Sequence, residues 1–293
     1  MRPRRSVLYM PAANARALEK AKTIAADALI FDLEDAVAPD AKELAREQAV
    51  QAAESGDYGE REITIRCNGL DTPWGADDLA AASRAAPDGI VIPKVSGPAH
   101  LGEVVVALER AGAPEKTTIW PMIETPSAIF SAREIAAFER VEVLIMGTND
   151  LAKELRAVQV AGRHALVPHL AQAVLAARAE EVSVIDGVFN DVTNAEGFVA
   201  ECQQGFEMGF DGKTLIHPSQ VGPANDTWAP GEEELEHAAK VIAAFEEAEV
   251  EGRGVITVDG QMIENLHVDN AKRCLATADA IARSGGETGD PNG

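Results

Sequence analysis

A chain of 293 residues with 46% apolar side chains can bury a sizeable core, as one large α/β barrel or as two ordinary domains. Its formal charge of −22 excludes a protein built to track nucleic acid or an anionic membrane surface. Cys67, Cys202 and Cys274 are far apart and form no CxxC pair, which excludes an obvious zinc site and suits a reducing compartment.

A short basic arm over residues 1–5 leads into a first strand, 6–10, which Pro11 ends. No apolar signal region stands at the N-terminus and no segment approaches a membrane span, so a cytoplasmic protein is expected. Helical spacing follows over 14–26. The apolar run 28–33 then passes straight into Glu34 and Asp35. An Ala-rich helix over 40–54 precedes the β-branched run 62–66, which closes on Arg66 and Asn68. After Asp71, Thr72, Pro73 and Trp74 a helix runs through Ala82, and strand 89–93 ends at Lys94. Strand 119–123 ends at Glu124. A helical pattern carries Ile129, Ile135 and Ala136, and strand 141–146 ends in a turn formed by Gly147, Thr148, Asn149 and Asp150. Strand 182–188 ends near Asn190 and Asp191, helix 197–208 follows, and a short strand over 213–216 closes at His217 and Pro218.

Eight strands alternating with helices predict a (β/α)8 TIM barrel over residues 1–220. No Gly-rich phosphate loop follows the first strand and no linker divides the chain, so an open doubly wound sheet and two separate domains fit less well. Residues 221–283 are surplus to the barrel and are expected to form a C-terminal helical extension that serves as lid or interface. It comprises an acidic helix over 232–249, a turn at 252–254, a strand over 255–258, a turn at Asp259 and Gly260, and a helix over 268–282. Residues 284–293 carry no large apolar side chain and are expected to be a disordered tail.

Parallel strands joined by helices place their C-terminal ends on one face. That mouth would gather Asp32, Glu34, Asp35, Arg66, Lys94, Glu124, Asp150, Asp191, Lys213 and His217. Glu124 and Asp150 would be spatial neighbours, and two converging carboxylates suit a hard cation such as Mg²⁺, with positions left for water and substrate. Each residue also has a plainer role. Glu124 can cap the following helix and Asp150 can end a turn. Asp32, Glu34 or Asp35 can hold Arg66 by a salt bridge, Lys94 and Lys213 can extend over the rim, Asp191 can cap a helix, and His217 can be a loop residue.

The ordered motifs carry a resemblance. They are Phe31, Asp32, Leu33, Glu34, Asp35, Ala36 and Val37; Ile65 to Asn68; Asp71 to Trp74; Ile92, Pro93 and Lys94; and Ile123 to Pro126. They continue with Gly147 and Asp150 to Ala152; Ile185 to Val188; and Gly212, Lys213, Ile216, His217 and Pro218. From Arg5 to about Ala282 the chain resembles the citrate lyase β-subunit-like proteins of the HpcH/HpaI aldolase superfamily, which includes malyl-CoA and citramalyl-CoA lyases.

The resemblance implies a TIM barrel with a C-terminal extension, assembled as a homotrimer or a trimer-based hexamer in which the extension reaches a neighbour's site. It implies Mg²⁺, or Mn²⁺ in its place, on Glu124 and Asp150, with Arg66 on the substrate and Glu34 and Asp35 in support. The activity implied is carbon–carbon lyase chemistry, a retro-Claisen cleavage of a 3-hydroxy dicarboxylic acyl-CoA such as malyl-CoA, citramalyl-CoA or citryl-CoA. Two positions depart from the family pattern. Pro11, Ala12, Ala13 and Asn14 replace a loop that usually carries glycine, and Glu264 stands where the family's Met-Ile-Asp motif has its acid/base aspartate. The longer carboxylate at 264 keeps open a malyl-CoA-type thioesterase on the same scaffold. A non-catalytic subunit retaining the fold is the remaining alternative, and intact Arg66, Glu124 and Asp150 speak against it.

Overall fold

The computed structural model describes residues 2–251 and 256–285, with the side chains of 249–251 and 285 left out. Eight strands form a closed parallel barrel in sequence order: β1 (Ser6–Pro11), β2 (Ala28–Asp32), β3 (Glu62–Arg66), β4 (Gly89–Ile92), β5 (Thr118–Ile123), β6 (Val143–Met146), β7 (Ser183–Asp186) and β8 (Gly212–Leu215). The last strand pairs with the first, Val7 beside Thr214, which closes the ring.

The strands read as near-continuous apolar runs because both faces are covered, one by the barrel interior and one by helices. Alternate residues share a face. Val7, Ala28, Ile30, Val91, Trp120, Met122, Val143, Ile145 and Ile185 form one buried cluster, with Tyr9 packed against it. The same parity aims Asp32, Arg66 and Glu124 into the barrel above that cluster: Asp32 follows Ala28 and Ile30, and Glu124 follows Trp120 and Met122. At the opposite end Arg4 is buried, doubly hydrogen-bonded to Glu62 at 2.7 Å and stacked 5.2 Å over Trp120.

Helices α1 (Ala15–Ala21), α2 (Lys42–Ser55), α3 (Gly75–Ala85), α4 (Pro98–Ala111), α5 (Pro126–Phe130), α6 (Ala132–Ala136), α7 (Thr148–Glu154), α8 (Val167–Ala179), α9 (Ala195–Met208) and α10 (Val221–Trp228) complete the sequence of βα units. Two stretches after β5 and β6 differ from the sequence expectation. The stretch expected to be a turn at 147–150 is the start of α7, so Asp150 sits in a helix's first turn and not in a loop. The single helical pattern around 129–136 is two short helices that meet at Ser131.

Arg4–Thr227 is one compact unit. The second is built from Trp228 onward. It contains α11 (Glu232–Glu251), β9 (Ile256–Val258), β10 (Gln261–Ile263) and α12 (Asn265–Gly285). Its strands pair antiparallel through Asp259 and Gly260, whose φ values of 50° and 81° suit a tight hairpin. Ala238, Val241, Ile256, Val258, Ile263 and Val268 form its core. The turn expected at 252–254, Val255 of the expected strand and residues 286–293 of the expected tail lie outside the described residues, whereas Ser284 and Gly285 end α12. Among the described residues no helix is long and apolar enough to cross a membrane.

Candidate active site

Asp32, the last residue of β2, lies beside Arg66, the last residue of β3, in the strand register. Arg66 donates from Nε and Nη2 to the two oxygens of Asp32, each at 2.6 Å, so both ends of its fork are fixed. Backbone N–H groups of Glu34 and Ala36 also donate to Asp32. Burial alone would raise the Asp32 carboxyl, but the Arg66 charge and these hydrogen bonds outweigh it and hold the group below the usual carboxylate range. The guanidinium lies 4.7 Å over the Tyr9 ring, and its Nη1 is 2.9 Å from Glu34 Oε2 and 3.6 Å from Asp35 Oδ2. Arg66 is therefore a rigid cation whose neighbours set its direction.

Glu124 follows β5 and is 3% exposed. The Lys94 backbone N–H donates to its Oε1 at 2.6 Å, and its other oxygen lies against Gly147. Burial pushes its carboxyl up to about 7, with the nearby Glu34 charge adding to the rise. Lys94 donates from Nζ to Glu34 Oε1 at 2.5 Å and stands 3.5 Å from Asp150 Oδ2. The structure thus brings Glu34, Glu124 and Asp150 together around Lys94, with Arg66 joined to the group through Glu34. Asp35 stays at the edge, with its side chain 70% exposed.

Asp32, Asp35, Arg66, Glu124 and Asp150 line a cavity of about 310 Å³ with Tyr9, Met122, Met146, Thr148, Thr214 and Ile216. A larger cavity, about 560 Å³, adjoins it at Thr148, Asn149, Val188 and Asn190, but Arg66, Glu124 and Asp150 are not on its wall. The smaller one is the candidate site.

The acids on its wall, with Glu34, outnumber Arg66 and Lys94, and among the described residues no cationic side chain is bonded to buried Glu124. That donor set suits a divalent cation. Among the described residues no three His, Cys, Asp or Glu side chains are grouped closely enough to hold an ion by themselves. An ion on Glu124 and Asp150 would therefore complete its shell with water and substrate oxygens.

Three residues expected at the mouth are not on the wall of this cavity. Lys213 is fully buried between Asp186 (2.8 Å) and Glu201 (2.9 Å), because its parity in β8 is opposite to that of Thr214, which lines the cavity. Asp191 is exposed and accepts hydrogen bonds from the backbone N–H and hydroxyl of Thr193. His217 is exposed and caps a single turn over Pro218–Gln220. Glu264 belongs to the second compact unit, exposed between β10 and α12, where its backbone N–H donates to His267 Nδ1 at 3.0 Å. Tyr9 and Thr148 are cavity residues that the sequence reading passed over. Tyr9 was open to detection, since it shares the inward parity of Val7.

Comparison with known proteins agrees with this architecture. The profile of the HpcH/HpaI aldolase/citrate lyase family matches residues 5–218. The chain belongs to that family. Within the HpcH/HpaI group it is 51% identical over 280 residues to a (3S)-malyl-CoA thioesterase of Cereibacter sphaeroides, covering 96% of each chain. It is 34% identical over 284 residues to the citrate lyase subunit beta of Escherichia coli, covering 95% of this chain and 94% of that one. Among solved structures it matches CitE from Mycobacterium tuberculosis, determined in complex with magnesium, acetoacetate and coenzyme A. The TM-score is 0.76 at 27% identity, covering 94% of this chain and 97% of that one.

Proposed function

We propose that this HpcH/HpaI-family chain is a divalent-metal-dependent enzyme acting on malyl-CoA-type thioesters, and that it hydrolyses the thioester bond. The observation that carries the reading is one cavity in which a fixed guanidinium, Arg66, shares the wall with two acids, Glu124 just past β5 and Asp150 in the first turn of α7. Magnesium and coenzyme A are named ligands of the similar CitE structure. The choice of hydrolysis over carbon–carbon cleavage rests on the 51% identity to the C. sphaeroides thioesterase along 96% of both chains. This reverses the order in which the two activities follow from the sequence alone.

Glu124 and Asp150 would hold the ion. Bound there, Mg²⁺ or Mn²⁺ supplies Lewis acidity toward the hydroxyl and carboxylate oxygens of the acyl group. Arg66 directs N–H groups at the thioester oxygen and stabilises negative charge as water adds to the acyl carbon. Asp32 and Glu34 keep that guanidinium aimed, with Asp35 adding charge at the rim. A carboxylate takes a proton from the water and returns one to the departing sulfur, and Glu264 of a neighbouring subunit in a homotrimer or trimer-based hexamer is the candidate. The C–S bond breaks, leaving a free hydroxy dicarboxylic acid and the CoA thiol.

The second reading is the retro-Claisen lyase, which the citrate lyase β-subunit relatives favour. There Arg66 would stabilise the thioester enolate instead. Purified protein incubated with (3S)-malyl-CoA and Mg²⁺ separates the two. Equal amounts of malate and free thiol, abolished by EDTA, are the expected result. Glyoxylate and acetyl-CoA without free thiol would establish the lyase, and no turnover of malyl-, citramalyl- or citryl-CoA would overturn both.

A further inference from the structure

We propose that Lys94 is a built-in counter-ion of the metal site, holding the acids in place when no ion is bound and competing with a divalent cation for Asp150. This rests on the reading of Glu124 and Asp150 as metal ligands. A rim lysine commonly keeps its ammonium in solvent or pairs with one carboxylate. Lys94 instead engages three. Its backbone N–H donates to Glu124 Oε1 at 2.6 Å, its Nζ donates to Glu34 Oε1 at 2.5 Å, and the same Nζ lies 3.5 Å from Asp150 Oδ2.

The backbone there is unusual. Lys94 has φ of 51°, in the left-handed region that side chains with a Cβ seldom adopt. In that conformation its N–H reaches Glu124 while its side chain turns to Glu34 and Asp150, so one residue serves the whole acid cluster. The two cations of the cluster are anchored differently. Arg66 has only 8% of its side chain exposed and is tied to Asp32 on two nitrogens. Lys94 has 47% exposed, on a flexible stem. Its ammonium can leave Asp150 for solvent while its backbone N–H keeps Glu124 in position. The ammonium substitutes for part of the charge that an ion would bring, so an ion must displace it.

The test is Mn²⁺ binding to chelator-stripped protein, followed by calorimetry or by the resonance of free Mn²⁺, with no turnover involved. Lys94→Gly removes the ammonium and relieves the positive φ, so it preserves the fold, and Lys94→Met removes the charge while keeping the stem. Both should bind Mn²⁺ more tightly than wild type by about tenfold, the size expected for removing one partly screened charge next to the site. Their melting temperatures should also rise more on adding Mn²⁺. Unchanged or weaker Mn²⁺ binding in both variants, with wild type binding and Glu124→Gln not binding, would overturn the role of Lys94 alone. If Glu124→Gln binds as well as wild type, the metal site itself is wrong and the counter-ion goes with it.

Discussion

Gly147 and Glu124 are in such close contact that a Cβ on the glycine would stand 2.2 Å from Glu124 Oε2 and 2.5 Å from Glu124 Cβ. Their strands are in register immediately beneath, Ile123 beside Met146. The glycine is required for space and not for backbone conformation, since its φ is −95°. Because the clash involves the root of the side chain as well as its tip, rotating the carboxylate does not relieve it. Gly147→Ala should therefore displace Glu124. We expect Mn²⁺ affinity to fall about tenfold or more, with about 1–3 kcal/mol of stability lost to overpacking. A binding isotherm and a urea melt check both, and unchanged affinity would mean that Glu124 does not need its present position.

The raised Glu124 carboxyl gives a pH dependence of defined sign. In the unfolded chain it titrates near 4.5, and in the metal-free fold near 7. Between those values the native state keeps a proton that the unfolded chain has lost, so metal-free stability falls as pH rises through that window. The drop is on the order of 3 kcal/mol at most. A cation must displace the same proton. Its affinity should rise about tenfold per pH unit up to about pH 7 and then level off. Denaturant melts and Mn²⁺ titrations between pH 5 and 8 test this, and Glu124→Gln should remove the slope in stability.

Much of this site is legible in the sequence because barrel geometry converts strand ends into neighbours. The run 62–66 is the observed β3 to the residue, since Ile63, Thr64 and Ile65 are β-branched and Arg66 ends the run. Inward parity then selects Asp32, Arg66 and Glu124. What the sequence does not disclose is where a strand-end lysine points. Lys94 and Lys213 look alike as residues beside apolar runs, yet one meets the acid cluster and the other is buried beside Asp186 behind β8. Parity of a four-residue strand decides between them, and a one-residue error in its boundary reverses the answer. Asp150 is similar. The turn-like stretch Gly147, Thr148 and Asn149 is the first turn of α7, because Gly147 can stand as its cap while its backbone approaches Glu124.

Asp32 and Arg66 should behave as one unit. Asp32→Asn removes the charge that fixes the fork, and Arg66→Lys removes the fork itself. Each should lower kcat by about a hundredfold or more while KM changes less, because the donors act on charge that develops in the transition state. The double variant should cost little beyond either single one. Breaking a buried pair is also destabilising by about 3–5 kcal/mol, so melts must accompany the kinetics. A raised KM with normal kcat in Arg66→Lys would assign the arginine to ground-state binding.

Glu264 tests whether the site is completed between subunits. It stands at the junction of β10 and α12, in the compact unit that does not contain Glu124, and its side chain is exposed. An acid at the start of a helix is favourable for that helix by itself, so its presence alone does not establish a role in proton transfer. The two possibilities diverge in mixed oligomers. Glu264→Ala subunits keep the metal ligands and lack the acid, while Glu124→Gln subunits keep the acid and lack a ligand. If Glu264 serves a neighbour, exchange of the two inactive proteins at equal amounts should restore roughly a quarter of the wild-type rate. Half the metal sites are intact, and half of their neighbours then supply Glu264. If Glu264 serves only its own subunit, every hybrid keeps one defect per site and no activity returns. Native mass spectrometry of the mixture shows whether exchange has taken place. Inactive hybrids after full exchange would assign the proton transfer to a residue other than a partner's Glu264.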